Sequence, residues 1–521
     1  MKYSDDIFKL VSSLTKQEKS YFKKFAGSFS DDEGSNYLKF FNEIVSQDLK
    51  GIEYDEDKIR KIDFTGKFVK NLSYHKNYLY NMILSSVVFY SRDKKHYIQL
   101  NDLISQVEYL NEKSLYEQSL KILIKSKKAA YDTDSYPELL KIINLEKKIF
   151  NNISDHEDYE DKNKLLNDEQ EKILDIIQSN LDIYKLYVRA GALSRQSGTG
   201  FLRKEEVSGG YKDIINSDVM KDESHAKSFQ AKFMFKTIKL LYSLSVSDFE
   251  TSNSCAEEIV TLIEDNFIGT ADWLNKYIIS LNNLISTQDR VMKFEESEIT
   301  IRKMMEIENK YPDLMTGQEK VFVFYSKSVM LMTKYLQCGE SDKLKVFLSE
   351  VIRGMDKYEL KITMQLRIIL YYFLGLSYFV ISDFESCIKW MGKIINSERS
   401  IVSEDYQSHS RIVFLLSYYE LKYFDSLEHV LKSTYHFLSK RKRVFKYENI
   451  ILKYLRRSFR VKTEKELYVM FDEMQDELKK ISDDPFEKHA FDTFNILYWL
   501  ESKLQKKPLT EFLRERFLGE S

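Results

Sequence analysis

Ser377-Tyr378-Phe379 with Phe384-Glu385-Ser386 recurs forty residues later as Ser417-Tyr418-Tyr419 with Phe424-Asp425-Ser426. An earlier echo sets Ser247-Asp248-Phe249-Glu250 beside Ser382-Asp383-Phe384-Glu385. Turn signals punctuate the same region at Ser247-Asp248, Gly339-Glu340, Ser382-Asp383, Lys422-Tyr423, Lys462-Thr463 and Lys507-Pro508. From Gly339 onward they fall at intervals of roughly 40 to 45 residues, and each interval holds two helical stretches. One helix pair cannot bury its own apolar face, so such a period requires neighbouring pairs to stack and share a core.

Composition excludes the competing architectures. The 521 residues include only four prolines and sixteen glycines. Sandwiches, barrels and doubly wound sheets need many turns, and turns draw on both residues. An apolar share of 43%, with 35 Tyr and 34 Phe, excludes disorder. The expected class is all-α, an α-solenoid of antiparallel helix pairs preceded by an N-terminal helical region. Three segments are expected: a helical region over 1–150, a connecting region over 151–210, and helical repeats over 211–521.

Local signals agree. Thr15 followed by Glu18 has the form of a capping box, opening a helix with Tyr21, Phe22 and Phe25 on one side. Thr65 is a candidate start for a helix through Leu72, Leu79, Ile83 and Val87. Leu115–Lys128 and Tyr136–Phe150 read as a helical pair, with Pro137 in the first turn of the second. The acidic stretch around Asp155–Asp161 reads as a solvated loop or the start of a surface helix. Five glycines between 191 and 210 mark an expected break in the helical run.

One unit carries a family resemblance. Tyr371, Leu374, Gly375, Tyr378, Cys387, Met391 and Ile394 stand at the spacing of the tetratricopeptide-repeat positions. The chain therefore resembles degenerate tetratricopeptide-repeat proteins, most closely over about 320–440. The resemblance implies that Gly375 and Cys387 are the small residues where paired helices cross closely. Leu415 and Leu427 replace the small residues in the next unit, and Arg399 stands where the consensus has proline. The segment Leu10–Gln47 also resembles the start of helical-repeat proteins of Bacteroidota that carry no assigned activity, which implies a fold and no mechanism.

Function is less legible. The net charge of −2 argues against general adhesion to nucleic acid or membrane. Cys255, Cys338 and Cys387 form no CxxC pair and no metal-ligand spacing, which fits reduced, buried thiols in a cytoplasmic protein. Acids follow the first Met where a signal peptide needs an apolar core, and no apolar run reaches the roughly 20 residues of a membrane span. No HExxH, G-x-S-x-G or GxxxxGK[ST] is present, and Gly198-Thr199-Gly200 between Arg195 and Arg203 reads as a connector. His429 and His436, seven apart, are expected to be ordinary surface or part-buried histidines. No catalytic residue, metal or cofactor is expected.

The strongest charge feature is residues 440–465, with eleven cations against two acids, a local charge of +9. At about 100° per residue, Lys442, Lys446, Lys453, Arg457 and Arg460 share one face of a helix. Two readings stand: a ridge that meets phosphate or an acidic partner, or a solvated outer face partly neutralised by neighbours. Tyr447, Tyr454 and Phe459 are expected in the core. The expected function is a non-enzymatic scaffold that binds a protein or peptide on its concave surface. The alternative is a nucleic-acid-associated or regulatory protein that uses the basic helix at 440–465.

Overall fold

One recurring turn makes the helix pairs. In it, the last residues of a helix are closed by a residue in the left-handed backbone region. At Ser382 (φ 64°), the Ser382 N–H donates to the Phe379 carbonyl and the Asp383 N–H to the Tyr378 carbonyl, at 3.1 and 2.9 Å. Asp383 then caps the next helix by accepting the Ser386 N–H. The same two hydrogen bonds recur around Gly51, Ser114, Asp134, Ser247, Met292, Gly339, Lys422 and Lys506, all at positive φ. Only two of these nine are glycine, which accounts for a helical-repeat chain with so little of it.

The computed structural model describes residues 5–520 except 29–31, 63, 65–67, 93–95, 154–155, 197–204, 268, 316, 360, 398–403, 441–445, 483, 485–486, 488–490 and 492–494. Among the described residues every regular element is helical. The chain divides into two units, Met1–Asp175 and Ile176–Ser521.

The first unit holds α1 (Asp6–Ser13), α2 (Lys16–Gly27), α3 (Asp32–Leu49), α4 (Glu56–Arg60) and α5 (Leu72–Ser91) around an aromatic core. The capping box at the start of α2 is complete: Thr15 Oγ1 accepts the Glu18 N–H and Glu18 accepts the Thr15 N–H. Phe22, Phe40, Phe41 and Phe68 are buried, and Tyr37 meets His75 Nδ1 at 2.7 Å. Thr65 lies outside the described residues; α5 begins at Leu72, after a single 3-10 turn over Phe68–Asn71. α6 (His96–Glu112), α7 (Tyr116–Asp132) and α8 (Tyr136–Ile153) then pack as three consecutive antiparallel helices.

α9 (His156–Gln196) is a single helix of 41 residues, and the division between the units falls inside it. The acidic stretch expected as a loop or helix start is thus helical from His156. Gly191 lies in α9, and Gly209 and Gly210 lie in α10 (Glu205–Ile215). Gly198, Gly200 and Arg203 fall outside the described residues.

The second unit continues through α11 (Asp218–Lys221) into a helical array. Its pairs are α12 (Phe229–Ser245) with α13 (Phe249–Asp265), α14 (Ala271–Arg290) with α15 (Phe294–Lys310), and α16 (Gly317–Gln337) with α17 (Ser341–Lys357). They continue as α18 (Met364–Val380) with α19 (Phe384–Ile395), α20 (Glu404–Glu420) with α21 (Phe424–Ser439), and α22 (Lys446–Ser458) with α23 (Glu464–Ser482). Most neighbours in sequence are neighbours in space, α17 and α18 being an exception, and one continuous core runs from Ile183 to Leu513. This is a solenoid-like all-α fold. First helices also pack on one another, α14 on α16, α16 on α18 and α18 on α20, while among the described residues second helices make no comparable contacts. The array therefore curves toward its first-helix side.

Packing in the α18–α19 unit follows the spacing that suggested it. Leu374, Gly375, Cys387, Met391 and Ile394 are buried. A Cβ on Gly375 would stand 2.8 Å from the Met391 methyl, so the helices cross closely here and a larger residue requires Met391 to shift. Tyr371 packs its ring on Trp390 at 5.4 Å, and Tyr378 is half-buried. Cys387 instead faces the next pair, accepting a hydrogen bond from Ser417 Oγ at 3.2 Å.

The chain ends in α24 (Ile496–Leu504) and α25 (Leu509–Glu520), which turn back onto the array. Trp499 Nε1 donates to Glu420 Oε1 at 2.6 Å, at the end of α20. α25 crosses the end of α16 so closely that a Cβ on Gly339 would lie 2.4 Å from the Thr510 carbonyl oxygen. Phe517 reaches Phe294, at the start of α15, with ring centroids 5.6 Å apart.

Candidate functional site

Residues 440–465 do not form one helix. α22 ends at Ser458 and α23 begins at Glu464, where Thr463 Oγ1 accepts the Glu466 N–H. The five residues between them interrupt the face on which Arg460 was placed with the others, and Lys442 lies outside the described residues. Phe459 belongs to this connection, not to the core: it is 38% exposed, while Tyr447 and Tyr454 are buried as expected.

Within α22 the ridge meets acids on α23 and just after it. Lys453 Nζ pairs with Glu477 at 2.6 Å, Arg457 pairs with Glu473, and Lys446 Nζ lies 3.9 Å from Asp484. Lys453, with Tyr454 assisting against slight burial, holds the Glu477 carboxyl below its ordinary value. The amino end of α22 is also closed, since the Lys446 and Tyr447 N–H groups both donate to the buried Glu487 carboxylate at 3.0 Å. Arg460, Lys462 and Lys465 have no acidic partner among the described residues and are exposed.

The first-helix side holds a different feature. Asn275, Ile279, Asn282, Asn283, Ser286 and Arg290 recur at helical spacing along one face of α14. That face borders two depressions. One, of about 300 Å³, lies between α12, α13 and α14 and is lined by Gln230, Phe233, Thr237, Asn275, Ile279 and Asn283. The other, of about 430 Å³, lies between α14, α16 and α18 and is lined by Asn282, Ser286, Asp289, Thr333, Gln337 and Phe373.

Both depressions mix amides and hydroxyls with a larger apolar lining and carry little free charge. Lys276, on the first, is neutralised by Asp272, and its ammonium lies 5.7 Å from the Phe233 ring centroid. Asn275 Nδ2 donates to the buried Glu319 at 3.1 Å, which fixes the amide. In the second, burial pushes the Asp289 carboxyl above its ordinary value, against the opposing Ser297 hydroxyl and Lys334 charge. The Arg290 guanidinium stacks on Phe249 at 5.0 Å. Asn282, Asn283 and Gln337 make no intramolecular side-chain hydrogen bond among the described residues. A side-chain amide offers two donors and an acceptor, the complement of a peptide group.

A third depression, of about 420 Å³, lies where α13, α14 and α15 meet, beside Phe267, Trp273, Tyr277 and Tyr311. Its rings pack on one another with centroids 4.7 to 6.4 Å apart, leaving no gap between them for a ligand. Trp273 donates its indole N–H to the Ile263 carbonyl, and Tyr277 donates to Glu264 at 2.7 Å. This cluster closes the junction between pairs.

His429 and His436 are both exposed on α21. Among the described residues no helix is long and apolar enough to cross a membrane. No protein-family model matches the chain, and no curated protein matches its sequence. The groove along α14 was not among the expected sites. Its only signal in sequence is a run of amides at helical spacing, which any solvated helix face also shows.

Proposed function

We propose that the second unit is a tetratricopeptide-like scaffold that binds an extended segment of a partner protein along the α14 face and performs no chemistry of its own. The observation that carries this reading is the pair of adjoining depressions that share that face, with the amides of Asn282, Asn283 and Gln337 unengaged among the described residues. Amides along a groove satisfy the N–H and C=O groups of an extended backbone, and neutral lining favours peptide over polyanion. The tetratricopeptide kinship draws support from the Gly375–Met391 crossing and from the curvature toward first helices. A cytoplasmic location, consistent with three buried free thiols, belongs to the same reading.

Site-specific photocrosslinking tests it. A photoreactive residue at Ile279 or Ser286 captures one partner segment in cells, and one at Val346, exposed on the second-helix α17, does not. Replacing Asn282 and Asn283 together by Ala weakens that capture. Equal capture from Val346, or none from α14, overturns the proposal.

A further inference from the structure

The α22–α23 connection departs from the turn used elsewhere in the array. The turns after α12, α14, α16, α18 and α20 have three residues each and a left-handed closing residue. This one has five, Phe459 to Thr463, and none at positive φ. The longer turn carries Arg460 and Lys462, and Lys465 follows in the first turn of α23. A cation in that position faces the positive end of the helix dipole, an arrangement that destabilises the free protein. Arg460, Lys465, Thr463 and Val469 line a surface depression of about 430 Å³.

The acids nearby do not neutralise these cations. Glu464 pairs with Lys506 at 2.9 Å, and Glu473 is taken by Arg457. Glu466, which also lines the depression, is tied to the Lys462 backbone N–H at 2.9 Å. Thr463 Oγ1 already accepts the Glu466 N–H, so its own proton is free to donate outward. The depression thus offers two long cationic side chains and a hydroxyl, with a third cation beside it, against the single carboxylate of Glu466, whose Oε2 is turned to the Lys462 N–H. That set matches a compact dianion.

We propose that the α22–α23 turn binds the phosphate group of a phosphorylated residue in a partner protein. The pairing of Lys446, Lys453 and Arg457 with acids on α23 and just after it reduces the ridge to a point cluster. A nucleic-acid backbone needs a track of free cations, and a single phosphate monoester needs only a point. Exposed Val469 and Phe459 beside the cations suit apolar residues flanking the phosphate. The choice of a protein as carrier rests on the scaffold reading, but the site is separate from the α14 groove.

Fluorescence anisotropy on the full chain decides it, using a degenerate peptide pool with a fixed central phosphoserine. Matched serine and glutamate pools and a short oligouridine are the comparisons. The phosphoserine pool binds saturably and more tightly than either matched pool. Arg460→Ala with Lys465→Ala weakens it about tenfold or more, by loss of charge-assisted hydrogen bonds. Lys453→Ala, whose cation is already paired, leaves it unchanged, and so does Asn282→Ala with Asn283→Ala. Retention in the groove variant separates this site from the groove: phosphopeptide binding there stands even if photocrosslinking from α14 fails. Absence of saturable binding, equal binding of the serine pool, or tighter binding of oligouridine overturns the proposal.

Discussion

Gly339→Ala should release the C-terminal helix from the array without unfolding the array. Two costs coincide at this residue. Its φ of +64° disfavours any Cβ, by about 1 kcal/mol. The added methyl would also lie 2.4 Å from the Thr510 carbonyl oxygen and 2.6 Å from the Arg514 nitrogen. Both are backbone atoms of α25, so no side-chain rotation relieves the overlap, and overpacking of this kind costs about 1–3 kcal/mol. The α16–α17 turn lies inside the core, whereas α25 is held by Leu509, Phe512 and Leu513 at the end of the chain. Yielding of α25 is therefore the cheaper response. Gly51→Ala isolates the backbone cost, because Gly51 has φ +63° with nothing within 4 Å. Hydrogen exchange measured by mass spectrometry should show protection of 509–518 falling roughly a hundredfold, for about 3 kcal/mol. Protection across α18 and α19 should hold. If 509–518 exchange as in the parent chain, and Gly339→Ala costs no more than Gly51→Ala, α25 is not seated on the end of α16.

Glycine at Met292, Ser382 or Lys422 should have the opposite sign, raising stability by about 0.5–1 kcal/mol each in denaturant melts, because these closing residues sit at φ 57–64°; a lower midpoint would refute the assignment of strain. Burial pushes the Cys387 thiol up to about 12, against the Ser417 hydrogen bond, and the Cys338 thiol to about 11, so native thiols should label only as fast as the chain opens; rapid labelling at pH 8 contradicts this. Burial works to raise the Glu264 carboxyl, but Lys303 and Tyr277 overcome it and hold it below its ordinary value. A lowered folded value means stabilisation that is present above the unfolded carboxylate range and lost as pH falls through the folded one. Glu264→Gln should therefore flatten the acid side of the stability–pH curve, and an unchanged slope below pH 5 counts against it. Lys453→Glu should lower stability by less than about 1 kcal/mol, since both partners are exposed, and Glu477→Lys in the same chain should restore it; failure of the double variant to recover denies the pairing.

What sequence could reveal depended on whether the relevant interaction was local. The turns at Gly339, Ser382 and Lys422 were legible because each is followed by a recognisable start of the next helix, and at Gly339 and Ser382 the turn residues themselves carry the signal. The equivalent turn at Met292 was not, because methionine in the left-handed region has no compositional mark. The close crossing at Gly375 was legible because a missing side chain at fixed spacing from Met391 has one geometric meaning. The closure by α24 and α25 was hidden, since nothing local says that Trp499 will find Glu420, 79 residues away.

The basic ridge lies between these cases. Two antiparallel helices joined by a short connection set residues opposite each other about a fixed centre. Arg457 with Glu473, Lys453 with Glu477 and Lys446 with Asp484 each lie symmetrically about residue 465. Reading Lys462-Thr463 as a turn brings α22 back against α23, but the pairing is centred on residue 465, within α23 and not in the connection, so the partners themselves were not countable from the turn; treating 440–465 as one helix hid the pairing altogether. The same symmetry isolates the cations that remain. Arg460 stands opposite Met470, which is buried, and Lys465 stands at the centre of symmetry with no residue across from it. Antiparallel packing can silence charges along the helices of a pair but not those in the connection or in the helical turn beside it. A cationic turn in such an array therefore keeps its charge for something outside the chain, whereas a cationic helix face need not.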